Sequence, residues 1–496
     1  MTSTITPPDA DVADPTPSRE LHRDGLGPWE VFAQGLAAAA PSVAIAGVPI
    51  SLYTATGKGA VWAGIIGLVI VVLIAITISY QAKRTVTSGS LGTYTGNGLG
   101  PGAAFAAGLS LLIGYIGFAT VGALGGVLYF ESFLSSIGIH AESTAFKLVI
   151  AVIVVLVASY LPFRGASLAA KYELAFEIAA IACIAVIIGA SYTTYGLHFD
   201  AEQFSLSHLG QNSTFVAAVT AVGAYAGFES VASLGGEARD AHRSISRSLL
   251  RVVLVIGVLY LIATYPQVLN IGGVDPDEAV LPQLADRTDV VWINPIVSLT
   301  LTVAFLVFVT AVTNSAARTL LTLSREGALP KVLAKVHPVH RTPWVGIAFV
   351  GVLALAFAVA ATLSTTGRLL FDVYGIYVAN WGFLVSYLLV VAATPIWLYR
   401  IKALTVGRAI VSGTAFVAVG YVIVGNIYPS PKWPYNILPF VFLGLLAAGL
   451  LWYLFLRLRR PEVARRIGTI QTLSPQEQER LAELGIAAGA SAAHRS

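Results

Sequence analysis

The chain has little charge and almost no cysteine. Asp, Glu, Lys and Arg make up 11% of its 496 residues, whereas a soluble domain carries roughly 25%. The single cysteine, Cys183, excludes a disulfide framework and a cysteine-rich metal site. The formal net charge of +4 does not indicate a nucleic acid partner, because the basic residues lie in short loops between apolar runs.

Motifs for catalysis and for nucleotide binding are absent from the sequence. There is no GxxxxGK[ST] loop, and Gly96-x-Gly98-x-Gly100 follows no strand. There is no HExxH motif, and the eight histidines fall outside the apolar runs. We therefore expect neither an enzyme nor a bound metal or cofactor. The first 27 residues are polar, and we expect no cleavable signal peptide there.

What the chain has in abundance is long apolar runs, in keeping with a hydrophobic content of 56%. About twelve of them are long enough to cross a hydrocarbon core of roughly 30 Å. The runs cover 31–55, 60–80, 102–130, 146–163, 171–192, 213–236, 249–271, 293–322, 343–363, 370–392, 406–427 and 436–457. They predict an all-α polytopic membrane protein with about twelve transmembrane helices.

The basic residues predict the orientation of these runs. If the N-terminus is cytoplasmic, the outer loops hold only Lys58, Lys147, Arg287, Arg368 and Lys432, and the other loop cations lie inside. An excess of Lys and Arg in cytoplasmic loops is the usual arrangement. We therefore predict a multi-pass protein of the plasma (cell inner) membrane with both termini cytoplasmic.

Two apolar runs are interrupted in their middles. The first breaks at Ala40-Pro41-Ser42, and the second breaks within 223–229, which reads GAYAGFE. Broken backbone is tolerated in a membrane only where it faces protein or a watery cavity. Paired breaks in two halves of a chain indicate the substrate site of a transporter.

The positions of the breaks predict an internal repeat, because the first and sixth runs each open a set of five. A five-plus-five inverted repeat, followed by two extra helices, fits this pattern. The predicted division is a disordered cytoplasmic tail 1–27, repeats 28–192 and 193–400, helices 11 and 12 in 401–458, and a cytoplasmic tail 459–496. Ser474 begins a predicted amphipathic helix that ends near Gly485.

Several segments resemble the amino acid–polyamine–organocation (APC) superfamily of permeases. The sixth run and its exit read GAYAGFESVASLGGEARDAHRSISRSL, and the exit of the eighth run reads AARTLLTLSREGALPKVLAKVHPVHRTPW. Glu326 stands where the family usually has Asp. The first break reads APSVAIAGVP rather than Gly-x-Gly-Ile-Phe, which is similar to the Pro-containing permeases. The resemblance covers roughly 27–460 and implies a LeuT-type fold and secondary active transport of an amino acid or related amine by alternating access.

The breaks supply the predicted substrate-binding residues. Amides freed at the first break can hold a carboxylate, and carbonyls of the second break can accept from an ammonium group, where glycines admit a ligand. Tyr115 is predicted, from the resemblance, to wall the side-chain pocket, with Tyr374, Tyr377 and Asn380 as weaker candidates. The full set at the breaks is Ala40, Pro41, Ser42, Val43, Ala44, Gly223, Ala224, Tyr225, Ala226, Gly227 and Phe228. A proline kink and close helix packing are the structural alternatives.

Two acidic residues inside the apolar runs are predicted to couple transport to protons. Glu229 and Glu177 lie in spans, where ionisable groups usually face the interior and have a function. Some members of the family carry Glu at the position of Glu229, and some proton-coupled members place a lysine at that of Glu177. Capping of the break by Glu229 and a hydrogen bond from Glu177 to a neighbouring span are the alternatives. Glu173, one turn before Glu177, is expected near the inner surface.

A cytoplasmic gate and an ion site complete the predictions. Ion pairs among Glu237, Arg318 and Arg325 would form the gate, unless these charges only set topology. The hydroxyl and amide groups of Thr313, Asn314 and Ser315 would hold sodium if the coupling ion is not a proton.

Other functions remain open from the sequence. A polyamine or organic-amine exchanger and a sodium-coupled symporter are the near alternatives. A channel or a receptor is a remote one, since no continuous polar pore lining is evident. The expected partners are a small-molecule substrate and the lipid bilayer.

Overall fold

The computed structural model describes residues 21, 25–140, 143–195, 199–275, 279–288, 290–364, 376–428, 433, 435–470 and 472–473. Almost all of the predicted tail 1–27 lies outside these residues. The predicted helix from Ser474 and the candidate Tyr374 also lie outside them.

The described chain is almost entirely helical. Its first part forms α1 (Pro28–Ala39), α2 (Pro41–Ile45), α3 (Val48–Thr56), α4 (Ala60–Ala82), β1 (Thr85–Val86), α5 (Ser90–Leu99), α6 (Pro101–Ser136), α7 (Thr144–Arg164), α8 (Ala166–Tyr195) and α9 (Asn212–Gly223). A 3₁₀ helix, Phe228–Leu234, follows α9. The remainder forms α10 (Ala241–Asn270), α11 (Val280–Asp286), α12 (Asn294–Arg325), α13 (Trp344–Leu363), α14 (Val378–Arg400), α15 (Val406–Gly425), α16 (Leu438–Arg459), α17 (Pro461–Arg466) and β2 (Thr472–Leu473).

Eleven helical stretches of the described chain are long and apolar enough to cross a membrane. They correspond to eleven of the predicted runs. The remaining run, 31–55, is divided among α1, α2 and α3, and its last part continues through a short turn into α4 as the stretch Val48–Ala82. The tenth run extends further than predicted, because α14 ends at Arg400 rather than near residue 392. The prediction of a polytopic all-α protein is confirmed.

Helices α6 and α12 form the centre of the bundle. The most apolar window of α6 is 78% buried, whereas the corresponding windows of α15 and α16 are 22% buried. Small residues allow the two central helices to approach closely: a Cβ added to Gly125 would lie 2.2 Å from the ring of Phe305. Of this central pair, α12 packs against α1, α2 and the 3₁₀ helix of the broken segments.

The peripheral helices present apolar side chains to the outside. Val417 of α15 and Phe440 and Leu451 of α16 are each about two thirds exposed. Such a continuous apolar surface is costly in water but suits contact with lipid. Helices α15 and α16 thus face the bilayer rather than the core.

Both described ends of the chain dock on one end of the bundle. Leu26 accepts from the Arg239 N–H at 2.8 Å and donates to the Glu237 carbonyl at 3.1 Å. At the other terminus, β2 pairs antiparallel with β1, and Gly468 donates its N–H to Glu326 Oε1 at 2.9 Å. We call this end of the bundle the tail face.

Candidate functional site

The first break lies where the proline predicts it. Helix α1 ends at Ala39, Ala40 adopts a left-handed conformation with φ of 42°, and α2 begins at Pro41. Proline cannot donate to the preceding turn, and this stops α1 at that point. A second interruption, at Ala46-Gly47, separates α2 from α3.

The second break touches the first. Helix α9 ends at Gly223, and Gly227 has a φ of +106°. A Cβ on Gly227 would lie 2.2 Å from the Ala38 carbonyl oxygen, so only glycine permits this backbone contact. The Tyr260 hydroxyl donates to the freed Ala224 carbonyl at 2.7 Å. The two breaks therefore form one continuous site at the centre of the fold.

Glu229 lies at this site, fully buried and surrounded by donors. Its Oε1 accepts from the Tyr115 hydroxyl at 2.7 Å. Its Oε2 accepts from the Gly227 N–H at 3.0 Å and from the Tyr387 hydroxyl at 2.5 Å. Sequence reasoning selected Tyr115 but missed Tyr387, which lies seven residues, or two helical turns, past the candidate Asn380. That spacing places both on one face of α14 and could have revealed Tyr387.

Glu177 binds the first break directly. Its Oε1 accepts from the Ser42 N–H at 2.8 Å, and its Oε2 accepts from the Ser42 hydroxyl at 3.0 Å. Both residues are buried. One amide that the sequence assigned to a substrate carboxylate therefore donates to a carboxylate of the protein itself.

The remaining break residues form the wall of the site. Pro41, Ala226 and Phe228 are buried, whereas Val43, Ala44, Gly223 and Ala224 are half-buried. The Tyr225 ring lies 5.0 Å from that of Tyr260. In the part of the chain that the structure describes, the Tyr225 hydroxyl has no hydrogen-bond partner. Asn380 approaches the second break, because a Cβ on Gly223 would lie 2.9 Å from its Nδ2.

Two of the three predicted gate residues meet near the tail face. Arg318 of α12 and Glu237 are both buried, and Arg318 Nε donates to Glu237 Oε2 at 2.6 Å. Arg318 Nη2 lies 2.5 Å from the same oxygen. The third residue, Arg325, is exposed.

Two of the three residues predicted for sodium, Asn314 and Ser315, are engaged elsewhere, whereas the buried hydroxyl of Thr313 has no hydrogen-bond partner among the described residues. Asn314 donates to Gln34 Oε1 at 2.7 Å, and its own Oδ1 accepts from Arg318. The Ser315 hydroxyl donates to the Ala311 carbonyl of its own helix at 3.1 Å. A guanidinium beside these groups disfavours a second cation there. Gln34, which links α1 to α12, was not selected from the sequence.

The placement of Glu173 corrects an expectation. It was expected near the inner surface, but it is fully buried inside the bundle. Neither of its carboxyl oxygens has a hydrogen-bond partner among the described residues. Within the same residues, no group of three or more His, Cys, Asp or Glu side chains is arranged to hold a metal ion.

An apolar helical bundle with two broken helices in contact at its centre defines a polytopic membrane transporter. The profile of the amino acid permease family matches residues 30–458. The chain therefore belongs to this family of secondary transporters, within the APC superfamily, and the resemblance stated from the sequence is confirmed.

The names of individual relatives state different substrates. The chain is 24% identical to the branched-chain amino acid permease BcaP of Bacillus subtilis over 64% of its own length and 72% of the relative. It is 25% identical to the low-affinity putrescine importer PlaP of Escherichia coli K12, over 58% of this chain and 64% of that protein. It is also 25% identical to the methylthioribose transporter of Bacillus subtilis, over 57% of this chain and 63% of that protein. For the last two, the match spans less than two thirds of the relative.

Proposed function

We propose that the protein carries an amino acid or a related amine across the plasma membrane by alternating access, coupled to protons. The observation that supports this most is the contact between the two breaks, with Glu229 and Glu177 bound to them. The division into two inverted five-helix repeats, with both termini cytoplasmic, belongs to the same proposal.

Protonation of Glu229 would change the hydrogen bonds that hold the second break in place. An ionised carboxylate accepts from both tyrosines and from the Gly227 N–H, as observed here. A protonated carboxyl carries a donor of its own, so one of these hydrogen bonds must reverse or break. Because Tyr115 is on α6 and Tyr387 on α14, a proton at Glu229 changes how the second break is tied to two other helices.

A carboxylate-free amine is the second candidate substrate. It is favoured by the hydrogen bonds from Ser42 to Glu177, because a substrate carboxylate would have to compete with Glu177 for that amide. The similarity to a putrescine importer supports the same candidate, since putrescine has no carboxylate. Sodium coupling is the less favoured alternative, given the contacts of Asn314 and Ser315.

Uptake into proteoliposomes tests this function. We expect a labelled panel of amino acids and diamines to include a substrate whose accumulation rises with an inward proton gradient. With one proton per substrate, a gradient of two pH units supports up to about 100-fold accumulation. We expect Glu229→Gln to lose the response to the gradient but to retain exchange of substrate across the membrane.

The control is Glu462→Gln, because Glu462 is exposed on α17. It should behave as the parent protein does. Gradient-driven accumulation preserved in Glu229→Gln would refute the coupling role. Absence of uptake for every member of the panel would refute the transport proposal itself.

A further inference from the structure

A groove near the tail face lies between the start of the first broken helix and α10. Pro28, Trp29 and Phe32 of α1 line one wall, and Arg251 and Val255 of α10 line the other, around a volume of about 400 Å³. Sites for small molecules have volumes of roughly 300–1,000 Å³. The side chain of Trp29 is 73% exposed, and its ring meets that of Phe32 edge to face at 6.1 Å. The groove therefore offers an apolar wall beside a guanidinium group.

Arg251 belongs to a row of three arginines on the outside of α10. Arg243, Arg247 and Arg251 follow one another at intervals of four residues, so they share one face of the helix. All three are exposed, and none of them forms an ion pair with another described residue. The same face continues with Val255 and Val258, which are 40% and 52% exposed. It thus changes from basic to apolar along the helix.

This change of character places the arginines at the surface of a membrane. Helix α10 has 30 residues and is therefore about 45 Å long, whereas the hydrocarbon core is roughly 30 Å thick. Its first turns read AHRSISRS, and the apolar stretch begins at Leu249. Arg251 therefore lies at the edge of the hydrocarbon, and Trp29 beside it is a residue type typical of that interface. Basic clusters next to a span attract anionic lipid head groups.

The acidic residue beside the groove does not oppose an anion in it. Glu30 follows Trp29 in α1, but its side chain turns back toward the start of the helix. A Cβ added to Gly27 would lie 2.7 Å from Glu30 Oε2. The lining of the groove includes Arg251 but not this carboxylate.

We infer that the groove binds an anionic phospholipid of the surrounding bilayer. The guanidinium of Arg251 donates to the lipid phosphate, and an acyl chain lies along the apolar wall. A zwitterionic head group brings a cation of its own toward the row of arginines, so it is attracted less. A free phosphate ion leaves Trp29, Phe32 and Val255 without a partner. A phospholipid with a net negative charge fits both parts of the groove.

The lipid would contact two elements that meet at the tail face. Leu26, just before α1, bonds the backbone of Glu237 and Arg239 just before α10, and the two helices pack against each other. A ligand that contacts both helices stabilises this arrangement of the first broken helix, because it binds the folded state. This inference goes beyond the proposed function and does not depend on the identity of the substrate.

Quenching of tryptophan fluorescence by brominated lipids tests the inference. The full chain is reconstituted into phosphatidylcholine vesicles with increasing fractions of phosphatidylglycerol or phosphatidylcholine that is brominated on the acyl chains. The chain has eight tryptophans, so the signal of Trp29 is the difference between the parent and Trp29→Phe. We expect brominated phosphatidylglycerol to quench Trp29 at a fraction at least about fivefold lower, since one basic residue near an anionic surface contributes roughly that factor.

Variants of the arginine test the role of its charge. We expect Arg251→Gln to lower the preference for phosphatidylglycerol by roughly fivefold and Arg251→Lys, which keeps the charge, to retain most of it. Arg457→Gln is the matched control, because Arg457 is exposed near the end of α16, which packs against α6 and α14. It removes the same charge elsewhere and should leave the preference at Trp29 unchanged.

Four results would overturn the inference. Equal quenching of Trp29 by the two brominated lipids would show that the groove does not select for charge. No quenching by either would show that protein, such as a second copy of the chain, covers the groove. Loss of the preference in inorganic phosphate at constant ionic strength would identify a free anion as the ligand. Parental preference in Arg251→Gln would exclude the arginine. Uptake enters none of these measurements, so failure of the transport proposal would leave them standing.

Discussion

Gly227 decides how closely the two broken helices approach each other. Its φ of +106° and its contact with the Ala38 carbonyl leave no space for a Cβ, which would lie 2.2 Å from that oxygen. The contact brings the second break within reach of the first. The geometry of the site therefore depends on the absence of a side chain at Gly227.

We expect Gly227→Ala to destabilise the protein and to weaken substrate binding. A non-glycine residue in a disfavoured conformation costs about 1–3 kcal/mol, and the clash would also displace the backbone of α1. The measurement is thermal unfolding in detergent together with uptake. Gly189→Ala is the matched control, because Gly189 lies in α8 with nothing within 4 Å of an added Cβ. A Gly227→Ala protein with parental melting temperature and uptake would contradict this role.

The segment after α16 forms a cover on the tail face. Glu326 Oε1 accepts from the Gly468 N–H at 2.9 Å and from the Ile470 N–H at 3.4 Å. The Thr87 hydroxyl donates to the Ile470 carbonyl at 3.0 Å. Beneath the segment lies a cavity of about 10 Å³, lined in part by Thr319 and Thr322. Burial raises the pKa of Glu326 to about 7. The hydrogen bonds from the backbone of Gly468 and its neighbours act in the opposite direction and limit the increase in this pKa.

The pKa of Glu326 predicts that the segment after α16 docks more tightly at low pH. A carboxyl whose pKa is near 7 when covered and near its ordinary 4.5 when free binds its proton more strongly in the docked state. The resulting stabilisation is complete below about pH 4.5 and is lost as the pH rises through about 7. An environment-sensitive dye at Thr469→Cys, in the Cys183→Ser background, would report the docked fraction.

We expect Glu326→Gln to remain docked from pH 5 to pH 8. Glu462→Gln, which changes an exposed acid of the same segment, should titrate as the parent does. A dye signal in the parent that is independent of pH, or one that shows tighter docking at high pH, would show that Glu326 does not control the segment.

Across the bundle, a chain of contacts joins the two described ends. Leu26 bonds the backbone at Glu237, whose side chain pairs with Arg318. Eight residues after Arg318, just past the end of α12, Glu326 accepts a hydrogen bond from the Gly468 N–H. Both described ends therefore lie at the same end of the bundle.

We expect reporters fused to the two termini to lie in the same compartment. Because the excess of Lys and Arg also falls on this side of the predicted topology, that compartment should be the cytoplasm. Compartment-specific fluorescent or enzymatic fusions in intact cells provide the measurement. Reporters on opposite sides of the membrane would contradict the arrangement, and both reporters outside would contradict only the orientation.

Much of this architecture is readable from the sequence, because its causes are local. The apolar length of each run predicts a crossing helix. Pro41 stops α1 at Ala39, because its ring nitrogen has no hydrogen to donate to the preceding turn. The depth of a side chain is harder to predict. Glu173 and Lys171 are two residues apart, yet one is buried and the other exposed, because the rotation of α8 is set by the helices packed around it.

The sequence by itself determined that the chain crosses a membrane many times and breaks twice, since hydrophobic length, proline and glycine act within a few residues. Only the tertiary structure decided what the breaks bind. Ser42 and Glu177 are 135 residues apart, and Glu229 and Tyr387 are 158 apart. No local pattern specifies such pairs, because their meeting depends on how the helices between them cross and turn.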